Sequence, residues 1–335
     1  MKLAHAFIQL PLHFDAEALT AEIGAFDEGL WRPHPSGFPG NSALPLAAVV
    51  GDPARGDALE GPMRPTPALL ASPYLQQVLG SLDAVLGRIR LMRLSGRAEV
   101  EPHVDSDYYW HERTRVHVPI LTRPGVRFAC GDAAVHMAAG ECWIFDTWRM
   151  HHVQNEDDRE RIHLVVDTVG GAAFWQLVAA ARPHQAPRDG FQPRHVAPRT
   201  DAAPPSLVFE TVNSESPMSY WELHPLVAFL LNEAVPHEGM PALARACGEF
   251  VRRWQTLWFR SGRDQAAVPE YRELLESFLA HIAPLASEVT LRNGADFLSA
   301  IQGLLRRAVR RPDLAAATEE GSRTGTATAK ATGRA

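Results

Sequence analysis

Cysteine is scarce in this 335-residue chain, and Cys130, Cys142 and Cys247 lie far apart in the sequence. That spacing fits neither a disulfide framework nor a paired zinc knuckle, and it suits a reducing compartment. Long apolar runs are also missing, since none approaches the roughly 18 residues that a membrane helix needs. The first apolar stretch is broken by polar residues and a proline, so we predict no secretory signal. We therefore expect a soluble cytoplasmic protein that does not enter a membrane.

The chain has no excess of positive charge. Its 33 Lys and Arg residues face 39 Asp and Glu residues, which gives a formal net charge of −6. Sequence-independent binding of nucleic acid needs clustered positive charge, so we expect no nucleic-acid partner. The content of 46% hydrophobic and 21% charged residues is typical of a globular protein.

The sequence changes character along its length and predicts four segments. Residues 1–182 mix β-like runs and turns, and residues 183–206 are a linker rich in proline and polar residues. Residues 207–311 form a helical C-terminal domain, because apolar residues recur there with helical spacing. We expect this helical domain either to pack over the first segment, where it would shape a substrate site, or to mediate formation of a homodimer. Residues 312–335 are poor in large apolar residues, which predicts a disordered tail.

The first segment is predicted to fold mainly into strands. Residues 15–26 and 74–86 are expected to be helices, and residues 29–67 to be mostly loop. From residue 88 onward, short alternating runs are separated by glycines, a pattern of antiparallel strands. The predicted fold class is mainly β with α. It comprises a double-stranded β-helix core, which is a cupin-like jelly roll, and a C-terminal α-helical domain.

Two stretches contain candidate metal ligands. His103 and Asp105 are two residues apart, so on an extended chain they point to the same face. A third ligand comes from His151 or its neighbour His152. Two histidines and one carboxylate can hold an ion from one side and leave the other side open, as in non-haem Fe(II) oxygenases. The alternative is that His103 and Asp105 belong to an ordinary surface turn after Pro102.

A basic residue follows the last candidate ligand. Arg161 lies ten residues after His151 within a strand-like run, and a guanidinium facing a protein interior is costly unless an anion meets it. Guanidinium groups bind carboxylates through two parallel hydrogen bonds. The diacid 2-oxoglutarate would supply such a carboxylate. The alternative is an internal salt bridge of Arg161 with Asp167 or Glu141.

Residues from about 88 to 175 resemble the aspartyl/asparaginyl β-hydroxylase family of Fe(II)/2-oxoglutarate-dependent dioxygenases. They are also similar to the bacterial free L-proline hydroxylases. The matching segments are RLMRL, EPHVDSDYYW, RTRVHVPILT, VRFACGDAAVHMAAGECWIFDTWRMHHVQN and RERIHLVVDTVG. The resemblance implies an enzyme that uses Fe(II), 2-oxoglutarate and O2 to hydroxylate an aspartyl or asparaginyl residue, or a free amino acid. Succinate and CO2 would be co-products.

The resemblance also implies roles for individual residues. His103, Asp105 and His151 correspond to the catalytic iron ligands, and Arg161 to the arginine that binds the distal carboxylate of 2-oxoglutarate. Arg115 corresponds to a second basic position that faces the cosubstrate or the substrate in part of the family. Vertebrate-type members lack the carboxylate ligand, whereas this chain has Asp105 in its place.

Several assignments stay open at this point. His117 and His163 line the cosubstrate pocket or are core histidines, and residues 107–110 contact substrate or only pack. Basic residues near the motifs would suit an anionic substrate, although most of them could equally lie on solvated strand faces. They are Arg113, Arg115, Arg123, Arg127 and Arg149.

Two alternative functions belong to other classes. One is a free L-proline-type hydroxylase acting on a small molecule, and the other is a jelly-roll module that binds metal without turnover. A zinc hydrolase on a similar barrel is also compatible with three protein ligands.

Overall fold

The computed structural model describes residues 1–309, except residues 36, 185, 187, 188, 202 and 214. The predicted tail at 312–335 lies outside the described residues. The chain divides into two compact units. One covers the described residues of Met1–Ser214 together with Asn293–Ala295, and the other covers Glu215–Arg292 and the described residues from Asp296 onward. The predicted boundaries at residues 182, 206 and 311 stay predictions, as does the homodimer.

The first unit contains strands, and they are numbered here in chain order. They are β1 (Phe7–Phe14), β2 (Arg32–Pro33), β3 (Asn41–Val49), β4 (Met63–Pro65), β5 (Val85–Leu94), β6 (Glu99–His103), β7 (Thr114–Leu121), β8 (Val126–Cys130), β9 (Ala133–Val135), β10 (Glu141–Phe145), β11 (His151–Asn155), β12 (Arg161–Gly170), β13 (Arg182–Pro183), β14 (Arg194–Val196) and β15 (Val208–Phe209). The mainly β class with helices is thus confirmed.

Helices occur in both units. Those of the first unit are α1 (Ala16–Ile23), α2 (Pro67–Leu70), α3 (Pro73–Gly80), α4 (Tyr108–His111) and α5 (Ala172–Ala180). Those of the second unit are α6 (Tyr220–Glu233), α7 (Met240–Ser261), α8 (Val268–Ala286) and α9 (Phe297–Leu305). Helix α7 buries Leu243, Cys247, Val251 and Trp254, which are spaced for one helical face. Among the helices of the described residues, none is long and apolar enough to cross a membrane.

The strands form two sheets. The larger one has the order β13-β1-β10-β7-β12-β5-β3-β2, with β14, β15 and β4 pairing beside this path, and the smaller one has the order β6-β11-β8-β9. From β5 to β12 the chain passes repeatedly between the two sheets, and the pairs along these strands are antiparallel. Each sheet therefore has one face directed towards the other sheet. Side chains from these two facing surfaces meet in the space between the sheets.

Apolar side chains fill much of the space between the sheets. Phe128 of β8 and Phe145 of β10 have ring centroids 4.7 Å apart, and Phe7 packs edge-on against Phe128 at 5.5 Å. These rings belong to a buried cluster that also includes Leu94 and Val153. The cluster borders the region in which the polar side chains described below come together.

The interpretation of residues 29–67 as mostly loop is wrong in one respect. Strand β3 pairs with β5 along much of its length, between β2 and the centre of the larger sheet. Pro45 interrupts its pattern, and the pairing register shifts between Pro45 and Ala47. A proline and the irregularity beside it hide the two-residue period that sequence reasoning relies on.

The two short helices predicted near the N-terminus are present, with one boundary misplaced. Asp15 caps α1 by accepting a hydrogen bond from the backbone N–H of Ala18 at 2.9 Å. The second helix ends at Gly80, before the expected 86, because β5 already begins at Val85. Pairing of β5 with β12 and β3 outweighs the helical pattern there.

Candidate functional site

Adjacent strands of the smaller sheet bring the candidate metal ligands together. His103 ends β6, His151 begins β11, and the two residues pair across the strands. Asp105 follows in the next loop, where its backbone N–H donates to the carbonyl of Thr147 at 3.1 Å. The Nε2 atoms of His103 and His151 lie 3.9 Å from the two carboxylate oxygens of Asp105. One ligand atom from each residue lies within 4.8 Å of the others.

Backbone carbonyls fix both imidazoles in the same tautomer. Nδ1 of His103 lies 2.8 Å from the carbonyl of Glu101, and Nδ1 of His151 lies 2.9 Å from the carbonyl of Arg149. A carbonyl can only accept, so each Nδ1 carries the proton and each Nε2 offers its lone pair. Ligating histidines are commonly oriented in this way, and the set fits a divalent ion such as Fe(II).

Burial keeps the imidazole of His151 neutral. It lowers the pKa of His151 to about 4, although Asp105 acts in the opposite direction. A neutral imidazole is the form that binds a metal. At neutral pH, His151 therefore needs no proton removed before it can act as a ligand.

A salt bridge holds the carboxylate ligand. Arg115 of β7 donates from Nη1 to Asp105 at 2.8 Å and from Nε to Asp167 at 2.9 Å. Burial alone would raise the pKa of Asp105, but Arg115, followed by the two histidines, holds it below its usual value. Asp105 is thus ionised and oriented. Arg115 was predicted to bind the cofactor, and in the structure it contacts a candidate metal ligand directly.

Arg161 is a buried cation that has no carboxylate partner among the described residues. It begins β12, is 4% exposed, and donates from Nη2 to Nδ1 of His163 at 2.7 Å. Its Nε has no hydrogen-bond partner among the described residues. Burial lowers the pKa of Arg161 to about 9, so the group is still charged at neutral pH.

The alternative of an internal salt bridge for Arg161 finds no support within the described residues. Asp167 pairs with Arg115, and Glu141 accepts hydrogen bonds from Gln9 and Trp143. Arg161 thus offers an unmatched charge to an anion.

A single cavity contains all five predicted site residues. It has a volume of about 470 Å³ and lies between the two sheets. The five predicted residues in its wall are His103, Asp105, His151, Arg115 and Arg161. The residues that were predicted from two distant parts of the sequence therefore share one space that could hold a metal ion and a small diacid.

The remaining histidines of these strands have separate positions. His152 is half-buried and pairs across to Ala129 on β8, whereas His151 is buried beside His103. His117 lines the cavity, and its Nδ1 lies 3.4 Å from Nδ1 of His163. His163 accepts from Arg161, so it positions that side chain within the wall.

The basic residues that the sequence suggested around the site are mostly elsewhere. Arg113 is paired with Glu210, Arg149 with Asp146, and Arg123 and Arg127 are exposed. Sequence reasoning instead missed Arg88 and Arg90 of β5, which line the cavity. Their signal was the alternation Arg88-Ile-Arg90-Leu-Met, which places both arginines on one face of a strand.

The aromatic run after the ligands divides between core and cavity. Asp107 caps α4 by accepting from the backbone N–H of Tyr109 at 2.9 Å. Tyr109 is buried, and its hydroxyl accepts from the backbone N–H of Arg88 at 2.9 Å. Trp110 lines the cavity, so within this run it is the aromatic residue placed to meet a ligand.

Comparison with known proteins finds similarity over part of this chain. Residues 63–170 match the family described as Aspartyl/Asparaginyl beta-hydroxylase. The L-proline cis-4-hydroxylase of Rhizobium meliloti (strain 1021) is 30% identical over 108 residues, which are 32% of this chain and 39% of that protein. The match thus spans about two fifths of the relative's length. The resemblance inferred from the sequence is confirmed, both to this family and to a bacterial proline hydroxylase.

Solved structures give more distant likenesses. An oxidoreductase of the 2OG-Fe(II) oxygenase family from Burkholderia pseudomallei is 14% identical and has a TM-score of 0.38. That likeness covers 50% of this chain and 87% of the other. A prolyl-4-hydroxylase from Pseudomonas putida is 18% identical, with a TM-score of 0.31 and coverage of 49% and 92%.

Proposed function

We propose that this protein is an Fe(II)- and 2-oxoglutarate-dependent hydroxylase with a jelly-roll core. The observation that carries the proposal is Arg161, a buried cation without a carboxylate partner in the described part of the chain, which lines the same cavity as His103, Asp105 and His151. The passage of strands β5 to β12 between two sheets, with antiparallel pairing along these strands, supports the jelly-roll assignment. The family match over residues 63–170 supports the same class of enzyme.

Each residue has a role in this proposal. His103, Asp105 and His151 would hold Fe(II), and Arg161 would bind the distal carboxylate of 2-oxoglutarate through its fork of N–H donors. Bound iron and cosubstrate would use O2 to hydroxylate an unactivated C–H bond and release succinate and CO2. Arg115 keeps Asp105 ionised and oriented, so that its carboxylate could hold the ion, and His163 keeps the Arg161 guanidinium in place.

The substrate is proposed to be a free amino acid. The L-proline cis-4-hydroxylase that this chain resembles is named for a small-molecule substrate, and residues 63–170 of this chain provide the match. An aspartyl or asparaginyl residue of a peptide is the second candidate, because the family is named for it.

Formation of succinate tests the proposal. We expect the full chain to convert 2-oxoglutarate to succinate when Fe(II), ascorbate and O2 are present. His151→Ala should abolish this conversion and weaken Mn(II) binding by more than about 100-fold, beyond the loss typical for a residue that only orients a ligand. The matched variant His152→Ala should retain both properties.

Two results would favour the other functions. Metal binding without any succinate, with or without added amino acids, would indicate a binding module. Hydrolytic activity with Zn(II) under anaerobic conditions would indicate a hydrolase.

A product search identifies the substrate. Free amino acids and peptides containing Asp or Asn should be incubated with the complete enzyme and examined by mass spectrometry for the gain of one oxygen. We expect the gain on a free amino acid. A gain on the peptides alone would replace the proposed substrate and leave the hydroxylase class intact.

A further inference from the structure

The loop that precedes β11 contacts two of the three candidate metal ligands. Its Thr147 carbonyl accepts from the backbone N–H of Asp105 at 3.1 Å. Its Arg149 carbonyl lies 2.9 Å from Nδ1 of His151. Between these two carbonyls lies one further peptide group, which consists of the Trp148 carbonyl and the Arg149 N–H. Peptide groups are planar and only φ and ψ rotate between them, so the orientation of this middle peptide group affects both ligands.

The middle peptide group is held at both of its ends. The N–H of Arg149 donates to the carbonyl of Asp146 at 3.2 Å. The carbonyl of Trp148 accepts from Nδ2 of Asn293 at 2.7 Å, and these two residues are 145 positions apart in the chain. A side chain from a distant part of the sequence thus fixes the peptide group that lies between the contacts to Asp105 and His151.

Asn293 belongs to the first unit. Together with the two residues that follow it, Asn293 is part of the compact unit that contains the strands, although it comes after α8 in the chain. It lies far outside residues 63–170, over which the chain matches the hydroxylase family. The family match therefore assigns no role to this residue.

The amide of Asn293 is oriented by its own turn. Its Oδ1 accepts from the backbone N–H of Ala295 at 3.0 Å, which is the pattern of an Asx turn. Gly294 between them has a φ of +83°, a conformation that favours glycine. Because Oδ1 is the acceptor in this turn, Nδ2 is the atom that faces the Trp148 carbonyl, which can only accept. The donor is therefore placed by local structure.

The rest of the loop has its own support. The Met150 carbonyl accepts from the N–H of Gly131 at 2.8 Å. The side chain of Asp146 accepts from the Trp148 N–H and from Nε of Arg149, both at 3.0 Å. Trp148 itself is buried. Loss of the bond from Asn293 should therefore change the orientation of the middle peptide group without unfolding the loop.

We infer that Asn293 is a positioning residue of the metal centre. It acts through the Trp148 carbonyl, so that the Arg149 carbonyl stays in place to hold His151 with Nε2 free for the ion. The inference rests on the proposed hydroxylase function, because that proposal makes His151 and Asp105 ligands. It extends the machinery of the site to a residue near the C-terminal end of the described chain.

Two substitutions in the full chain remove the donor and keep an acceptor for the turn. Asn293→Asp retains the size of the side chain, and Asn293→Ser adds no charge but is too short to reach the Trp148 carbonyl. Calorimetric titration under anaerobic conditions should show Mn(II) binding about tenfold weaker in both variants, the lower end of the loss when a group that orients a ligand is removed. A through-space effect of the new carboxylate would instead strengthen cation binding. Asn232→Asp, at an exposed position of α6, is the matched control and should leave Mn(II) affinity unchanged.

Nuclear magnetic resonance of the metal-free protein with isotope-labelled histidine separates positioning from folding. Wild-type His151 should show a single neutral tautomer with the proton on Nδ1, in a signal assigned by its absence in His151→Gln. In both Asn293 variants, the ring-nitrogen shifts of His151 should move towards those of a mixture of tautomers. His103 is the internal reference, because its Nδ1 lies 2.8 Å from the carbonyl of Glu101, which is outside the loop. Its shifts should stay at their wild-type values.

Three results would overturn the inference. They are unchanged or stronger Mn(II) binding in both Asn293 variants, wild-type ring-nitrogen shifts of His151 in both, and equal changes at His103 and His151, which would show a general loosening of the fold. Failure of the wild-type protein to bind Mn(II) would instead contradict the proposed function. The spectra of the metal-free protein would then still decide whether Asn293 positions His151.

Discussion

Two buried arginines, Arg113 just before β7 and Arg161 at the start of β12, differ in what they contact. Arg113 and Arg161 are each 4% exposed. Arg113 donates from Nε and Nη2 to both oxygens of Glu210, at 2.7 and 2.9 Å, and from Nη1 to the carbonyl of Tyr109. Arg161 donates from Nη2 to the neutral ring of His163, and its Nε has no partner in the described structure. The two arginines are thus equally buried, but Arg113 forms a complete ion pair, whereas Arg161 has no carboxylate partner among the described residues.

The pKa values of the two arginines follow this difference. Burial lowers the pKa of Arg113, but its hydrogen bonds to Glu210 and the negative charges of Glu210, Tyr109 and Asp167 together outweigh burial and raise the pKa above the ordinary value. Burial lowers the pKa of Arg161 to about 9 without such compensation. Arg113 has a carboxylate counter-ion within the protein. Arg161 can instead recover the solvation energy lost on burial by binding an anion.

The largest expected effect on stability comes from breaking the satisfied pair. Arg113→Met leaves Glu210 buried without its cation, so we expect the free energy of unfolding to fall by about 3–5 kcal/mol. Urea unfolding followed by circular dichroism measures the change. Arg127→Gln, on an exposed strand position, should stay within about 0.5 kcal/mol of wild type. A loss below 1 kcal/mol for Arg113→Met would show that the pair contributes little.

Arg161 should behave in the opposite way. Arg161→Met removes an unmatched charge and leaves no carboxylate behind, so stability without ligands should stay within about 1 kcal/mol of wild type or rise. Affinity for 2-oxoglutarate should fall by about 100-fold or more, because two charge-assisted hydrogen bonds are lost. Calorimetric titration measures this loss, and Mn(II) affinity should be retained. Equal losses of diacid and metal binding would contradict the assigned role.

The smallest effect concerns the neutral partner of Arg161. Burial, with Arg161 and His117 adding to it, lowers the pKa of His163 well below 6.5. Below pH 6.5 this histidine is therefore protonated in the unfolded chain but stays neutral in the folded chain. The free energy of unfolding falls as the pH drops towards the pKa of His163 in the folded state. His163→Asn keeps an acceptor for Arg161 and should reduce this slope by up to about 1.4 kcal/mol per pH unit. Urea unfolding between pH 7 and 5 measures it, and parallel slopes would argue against a neutral His163.

Sequence reasoning reached the site because its signals are local. The two-residue spacing of His103 and Asp105 predicted that they share a face of a strand, and the family resemblance pointed to Arg161, ten residues after His151. His103 and His151 meet in the structure because β6 pairs with β11, and Arg161 of β12 lines the same cavity. Their exact roles as ligands stay predictions until a bound metal is observed.

The misses have a different physical origin. Arg113 pairs with Glu210, which is 97 residues away in the sequence. No local sequence pattern predicts such a pair. Pro45 interrupts the alternating pattern of β3, so the strand was not predicted. Nothing in the sequence distinguishes Arg88 from the other arginines, whereas the structure shows that it lines the cavity. Burial and partnership depend on long-range packing, which a single sequence does not reveal.

Diffraction from crystals soaked anaerobically with Mn(II) and 2-oxoglutarate tests the central claim most directly. An anomalous peak should lie within coordination distance of Nε2 of His103, Nε2 of His151 and a carboxylate oxygen of Asp105. The distal carboxylate of the diacid should contact both donors of the Arg161 fork. A peak elsewhere, or a diacid bound away from Arg161, would contradict the account.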